Sequence, residues 1–193
     1  EQIGGTILFL APSISLVSQT FNEWINQSNI PVSSIIVCSD ISIKAEESDD
    51  IHTYDLACPP TTDPEMLAKV ASVEFQPDKL NVIFCTYQSI QVVIDAQEKG
   101  LPEFDLVVCD EAHRTTGVTL SDREDSHFTR VHNGSLLKAK RRLYMTATPK
   151  IYADNMVSKA NQEDAEVFSM DNEALYGAEF HRLGFGEAVE KGL

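Results

Sequence analysis

Short, unbroken apolar runs alternate along the chain with longer stretches in which apolar residues recur every three or four positions. The runs at 6–11, 34–39, 81–86, 104–110 and 142–147 predict strands, with a less apolar sixth at 165–169. A strand covered on one face alternates apolar and polar residues, whereas one covered on both faces of a parallel sheet reads as continuously apolar. Between the runs, residues 14–29, 64–75 and 89–99 carry the spacing of amphipathic helices, and Ser13 and Ser89 are placed to cap two of them. Strand–helix alternation predicts an α/β fold with right-handed crossovers. Residues 40–63, acidic and containing Pro59-Pro60, and residues 115–134, rich in Asp, Thr and His, read as loops. Beyond Ser169 the periodicity fades among Gly177, Gly184, Gly186 and Gly192, so 170–193 reads as a connector following a globular unit of 1–169.

A chain of 193 residues with 42% hydrophobic and 23% charged content has the composition of one ordinary globular domain. No apolar run approaches the roughly 20 residues of a bilayer span. The start, Glu1-Gln2-Ile3-Gly4-Gly5, lacks the basic and apolar regions of a signal peptide. A cytoplasmic chain without a membrane partner is therefore expected, and its opening directly on a strand suggests a piece of a longer protein. Cys38, Cys58, Cys85 and Cys109 show no C-x-x-C pair and no metal-ligand spacing, so buried reduced thiols are expected. The net charge of −15 argues against a broad electrostatic surface for nucleic acid. The only dense basic cluster is Lys138, Lys140, Arg141 and Arg142, which reads more readily as a solvated helix face than as a contact.

The run at 104–110 ends in adjacent carboxylates, within Cys109-Asp110-Glu111-Ala112-His113. That is the sheet edge where α/β folds hold ligands. Nucleotide hydrolysis needs such a pair: Asp110 can hold Mg²⁺ through its water shell, and Glu111 can orient or deprotonate the attacking water. A second strand ends in Tyr144-Met145-Thr146-Ala147-Thr148-Pro149, where Thr146 and Thr148 can hydrogen-bond the carboxylate loop, although Thr and Pro also close ordinary turns. In Ala11-Pro12-Ser13-Ile14-Ser15-Leu16-Val17-Ser18-Gln19 a strand turns into a helix whose N–H groups can meet a nucleic-acid phosphate, or simply form a capped crossover. Thr86-Tyr87-Gln88-Ser89-Ile90 has the same form.

In this order the four segments resemble the motifs of superfamily 2 helicases: A-P-S-x-x-L-V-x-Q motif Ia, T-Y-Q-S-I the next nucleic-acid motif, D-E-A-H motif II, and T-A-T-P motif III. The extensions His113-Arg114-Thr115-Thr116-Gly117 and Pro149-Lys150-Ile151-Tyr152 are similar to the group containing motor subunits of type I and type III and single-polypeptide restriction–modification enzymes. The tail through Leu175-Tyr176-Gly177 to Phe185-Gly186-Glu187-Ala188 is similar to their entry into a second RecA-like lobe. The resemblance implies a first RecA-like lobe over 1–169, with a mostly parallel sheet flanked by helices. It implies ATP and Mg²⁺ as cofactors and double-stranded DNA as partner. A second lobe and nuclease or methyltransferase domains would accompany it. Glu111 and Asp110 would be catalytic, His113 would couple the ATP state to the second lobe, and Thr146 and Thr148 would link hydrolysis to DNA movement. Pro12, Ser13, Gln19, Thr86, Tyr87 and Gln88 would contact nucleic acid.

One departure from the family's pattern stands out. No G-x-x-x-x-G-K-[ST] occurs in the 193 residues, and no Lys follows Gly4-Gly5. The fragment alone is expected to hydrolyse ATP negligibly, and loss of the loop's strand to favour self-association through an open edge. A degenerate lobe acting as a DNA-binding scaffold and an RNA helicase lobe are the alternatives. An unrelated metal-dependent hydrolase would need further converging carboxylates or histidines. His127, His132 and His181 receive no role.

Overall fold

The computed structural model describes residues 4–38, 61–120, 126–153 and 165–192. The acidic run at 46–50, Cys58 and Pro59-Pro60 lie outside the described residues. Five parallel strands form the main sheet: β1 (Gly5–Ala11), β2 (Val32–Val37), β3 (Leu80–Thr86), β4 (Leu106–Cys109) and β6 (Arg142–Tyr144), in the order β2-β3-β1-β4-β6. Their apolar runs are continuous because alternate residues face opposite cores. Leu8, Leu10, Ile83, Cys85, Val107 and Cys109 point into one core, while Phe9, Ala11, Val82, Phe84 and Val108 point into the other.

Helix α1 (Ile14–Gln27) covers the second core with Val17, Phe21 and Trp24, spaced to share one helical stripe. Phe9, Phe21, Trp24 and Phe84 form an aromatic cluster with ring centroids 5.6–5.9 Å apart. Helices α2 (Pro64–Glu74) and α3 (Ile90–Glu98) cover the first core through Leu67, Ala71, Ile90, Val93 and Ile94. The Leu16 N–H donates to Ser13 Oγ at 3.3 Å, so Ser13 caps α1 as expected. Asp63, not foreseen as a cap, accepts from the N–H groups of Glu65 and Met66 in α2.

Several sequence expectations need correction. Ser89 makes no side-chain cap, because the 3₁₀ turn Tyr87–Ser89 precedes α3 and Ser89 Oγ instead accepts from Thr86 Oγ1 at 3.2 Å. The loop expected over 115–134 contains β5 (Gly117–Leu120), and the sixth strand, β7 (Ala165–Phe168), pairs antiparallel with it in a separate two-stranded sheet. The cluster Lys138, Lys140, Arg141 and Arg142 is not a helix face. Arg142 donates to the carbonyls of Val131 and Leu137, and Lys140 Nζ lies 2.7 Å from Asp105 Oδ1. Since it runs into the start of parallel β6 at Arg142, the cluster also lies at the amino edge of the sheet, opposite Asp110. Gly4-Gly5 has a packing role at that same edge: a Cβ on Gly4 would stand 2.1 Å from the Pro77 carbonyl oxygen.

Cys38, Cys85 and Cys109 are buried thiols, as expected. Burial pushes the Cys109 thiol up to about 12. Among the described residues no helix is long and apolar enough to cross a membrane. The short helices α4 (Glu173–Tyr176) and α5 (Phe185–Glu190) follow β7.

Candidate active site

At the carboxyl edge β4 stops after Cys109, and the chain turns sharply into the 3₁₀ turn Ala112–Thr115. The turn is made at Glu111, whose φ of 48° is the one positive value at a non-glycine among the described residues. A long side chain in the left-handed region costs of order 1–3 kcal/mol, and such strain concentrates at functional sites. Four contacts hold this loop from neighbouring elements. The Asp110 N–H donates to the Leu10 carbonyl of β1, 2.9 Å away, and the Ala112 N–H to the Met145 carbonyl beyond β6 at 2.8 Å. Met145 N–H donates in turn to the Cys109 carbonyl at 2.9 Å. The Tyr87 hydroxyl, from below, donates to the Asp110 carbonyl at 2.9 Å.

The half-buried Asp110 carboxylate accepts the Glu111 N–H at Oδ1, 3.0 Å. Burial raises its pKa; the Glu111 charge adds to the rise and the backbone N–H opposes it. Glu111 is likewise partly buried, with 39% of its side chain exposed. His113 Nδ1 lies 3.1 Å from Glu111 Oε2, 3.0 Å from Thr146 Oγ1 and 3.4 Å from Thr148 Oγ1. A proton on Nδ1 has the carboxylate as its strongest acceptor. Thr146 and Thr148 therefore reach the carboxylate loop through His113, and the Thr148 N–H fixes Thr146 Oγ1 at 3.1 Å. One imidazole joins the ends of two neighbouring strands. A movement of either strand end must change the environment of Glu111.

The expected nucleic-acid contacts divide by exposure. Gln19 and Gln88 are exposed and Ser13 is half-buried; Ser13 and Gln88 follow the carboxyl ends of β1 and β3, whereas Gln19 lies within α1, where its Nε2 donates to Glu23 Oε1 at 3.1 Å. Gln88 Nε2 donates to the Pro12 carbonyl at 3.1 Å, linking the two strand-to-helix turns. Thr86 and Tyr87, by contrast, are 4% and 0% exposed, so their side chains are packed inside the domain instead of facing a ligand. Pro12 is buried as well. Tyr87 belongs to the carboxylate loop: burial raises its hydroxyl far above the ordinary tyrosine range, keeping it a neutral donor to Asp110.

Sequence reasoning missed two further supports of this turn. His132, given no role, stacks on Tyr144 and Phe168 and bonds Tyr144 Oη and the Thr115 carbonyl at 3.0 and 3.1 Å. Tyr176, read as part of a connector, reaches Thr115 Oγ1 at 3.0 Å. Neither position has a local signal, since both are set by pairing between distant segments. Among the described residues no group of three or more His, Cys, Asp or Glu side chains converges as an all-protein metal cage. The further ligands that an unrelated metal-dependent hydrolase would require are not found among the described residues. Two partly buried carboxylates flanked by hydroxyls suit Mg²⁺, which takes few carboxylates and keeps several waters.

The family model described as "Type III restriction enzyme, res subunit" matches residues 1–151. The chain is 31% identical over 191 residues to "Probable helicase A859L" of African swine fever virus (strain Badajoz 1971 Vero-adapted), covering 97% of this chain and 18% of that protein. The corresponding protein of the Tick/Malawi/Lil 20-1/1983 isolate is 28% identical over 190 residues. The Type ISP restriction-modification enzyme LlaBIII bound to DNA superposes with a TM-score of 0.76 at 36% identity, covering 98% of this chain and 12% of that one. A nuclease-deletion mutant of the Type ISP enzyme LlaGI in complex with a DNA substrate mimic gives a TM-score of 0.71 at 36% identity, over 97% and 14% of the two chains. The 193 residues span less than a fifth of each of these relatives.

Proposed function

Because this chain belongs to the family of type III restriction enzyme res subunits, we propose that it is the carboxylate-bearing lobe of an ATP-driven motor moving on double-stranded DNA. Its helicase-type fold is shared with the motor region of Type ISP restriction–modification enzymes. The observation that carries the reading is the left-handed Glu111 turn, tied by His113 to Thr146 and Thr148 on the adjacent strand end.

Bound Mg²⁺–ATP would supply the γ-phosphoryl group and neutralise its developing charge. Asp110, half-buried and held by Tyr87 and the Glu111 N–H, is the residue that would hold the ion. Glu111 would orient a water and take its proton as the water oxygen bonds the γ-phosphorus and the bond to the departing ADP oxygen breaks. His113 passes the state of that carboxylate to Thr146 and Thr148, and so to the segment after β6. Ser13, Gln19 and Gln88 meet the DNA backbone along the carboxyl edge, where polar groups and N–H donors position a strand without large net positive charge. That accommodates a chain of net charge −15. Pro12, Thr86 and Tyr87 shape these turns from inside. A second RecA-like lobe and nuclease or methyltransferase parts complete the assembly, and 170–193 leads toward that lobe.

The test is ATP hydrolysis by a polypeptide extended on both sides to the length of its relatives, with double-stranded DNA, with RNA and with neither. Turnover stimulated by double-stranded DNA and lost in Glu111→Gln is expected. A folded, DNA-binding polypeptide without turnover would instead favour a scaffold, and stimulation by RNA alone an RNA helicase.

A further inference from the structure

The 3₁₀ turn Ala112–Thr115, which follows Glu111, ends at Thr115, which is fully buried and held at both its polar ends. Its hydroxyl donates to the Ala112 carbonyl at 2.8 Å, which uses its only proton. The Tyr176 hydroxyl, 3.0 Å away, must therefore donate to Thr115 Oγ1. At the other end the Thr115 carbonyl can only accept, so His132 Nε2 carries a proton toward it. His132 Nδ1 lies 3.0 Å from the Tyr144 hydroxyl. Tyr176 also lies edge-on to His132 and tilted against Tyr144, with both ring centroids 4.8 Å away. Burial lifts the Tyr176 hydroxyl to about 12, so it remains a donor at neutral pH.

A tail segment with no partner strand in the main sheet is thus fastened to the turn bearing the catalytic carboxylate, 61 residues earlier in sequence. We propose that the Tyr176–Thr115 hydrogen bond is a latch through which the segment after β7 sets the position of the Glu111–His113 turn, with Thr115, His132 and Tyr176 as positioning residues. The inference rests on the reading of Glu111 as the group acting on water. It adds the regulation of that site: displacement of the tail removes the Tyr176 donor from Thr115 and loosens the turn, whose remaining contacts stay in place.

The first test is hydrogen–deuterium exchange on the 193-residue chain. Tyr176→Phe and Thr115→Val are expected to speed exchange at the Ala112 and Arg114 amides about tenfold while leaving β1 and β3 unchanged, and Thr115→Ser to restore protection. Unchanged exchange at Ala112 and Arg114, or equal acceleration across β1 and β3, would overturn the latch. In the extended polypeptide, Tyr176→Phe is expected to lower DNA-stimulated kcat about tenfold with the KM for ATP unchanged. If Glu111→Gln abolishes turnover and Tyr176→Phe leaves kcat intact, the latch fails and the motor reading stands. If the wild type does not hydrolyse ATP, the motor reading fails, and the exchange result alone decides the latch.

Discussion

Asp105 and Asp110 stand at opposite ends of β4, and the sheet gives them opposite chemistry. Asp105 sits at the amino edge, with 46% of its side chain exposed. It accepts the Thr6 N–H at 2.9 Å and pairs with Lys140 at 2.7 Å. The Lys140 hydrogen bond, helped by the Thr6 N–H, holds its carboxyl below the usual range. Asp110 is half-buried at the carboxyl edge, with no basic side chain paired to it among the described residues. Its carboxyl is raised, chiefly by burial. A carboxylate with a resident cation fastens two elements together, whereas one desolvated without a cation is poised to receive one. Two aspartates flanking the same short strand are distinguished by their partners and surroundings, not by residue type.

Four substitutions would break or sharpen that contrast. The largest effect is expected from Glu111→Gln, beside Asp110: loss of a positioned base should lower DNA-stimulated turnover of the extended polypeptide by roughly 10²–10⁴-fold, read by phosphate release. Next, Tyr87→Phe leaves the Asp110 carbonyl without its buried donor and should cost about 1–3 kcal/mol in denaturant unfolding. Smaller still is the effect of Asp110→Asn on the unfolding midpoint, which should rise at neutral pH. A raised folded pKa means the ionised side chain opposes folding above that value, and the penalty disappears below the unfolded value near 3.8. The gain over wild type should therefore vanish as pH falls through that range. Asp105→Asn should show the smallest change and the opposite sign. Its lowered pKa contributes stability present above the unfolded value and lost as pH falls through the folded one, and an exposed pair contributes little.

The two ends of β4 also differ in how far they were legible in sequence. The carboxylate pair could be read because an apolar strand ending in two acids is a local pattern, and β1 and β3 fall close to their apolar runs because both faces are covered. The pairing of Asp105 with Lys140 could not be read, since 35 residues separate them and no periodicity links them. The same holds for β5 and β7, whose antiparallel pairing joins two short segments of mixed polarity. Tyr87 shows the limit at the site itself. Its place just after a strand suggested an exposed contact, but a polar letter there does not reveal whether the hydroxyl turns outward or, as here, inward to the Asp110 carbonyl. The triple contact of His113 with Glu111, Thr146 and Thr148 was half legible: the two hydroxyls were expected at the loop, but not the imidazole between them.

The most direct test of the assignment of function to one end of β4 is DNA-stimulated phosphate release by Asp110→Asn and Asp105→Asn, side by side in the extended polypeptide. Asp110→Asn should lose on the order of a hundredfold or more, as expected when an ion-holding carboxylate is removed, while Asp105→Asn should turn over like the wild type. Equal loss in both, or full activity in Asp110→Asn, would contradict the account.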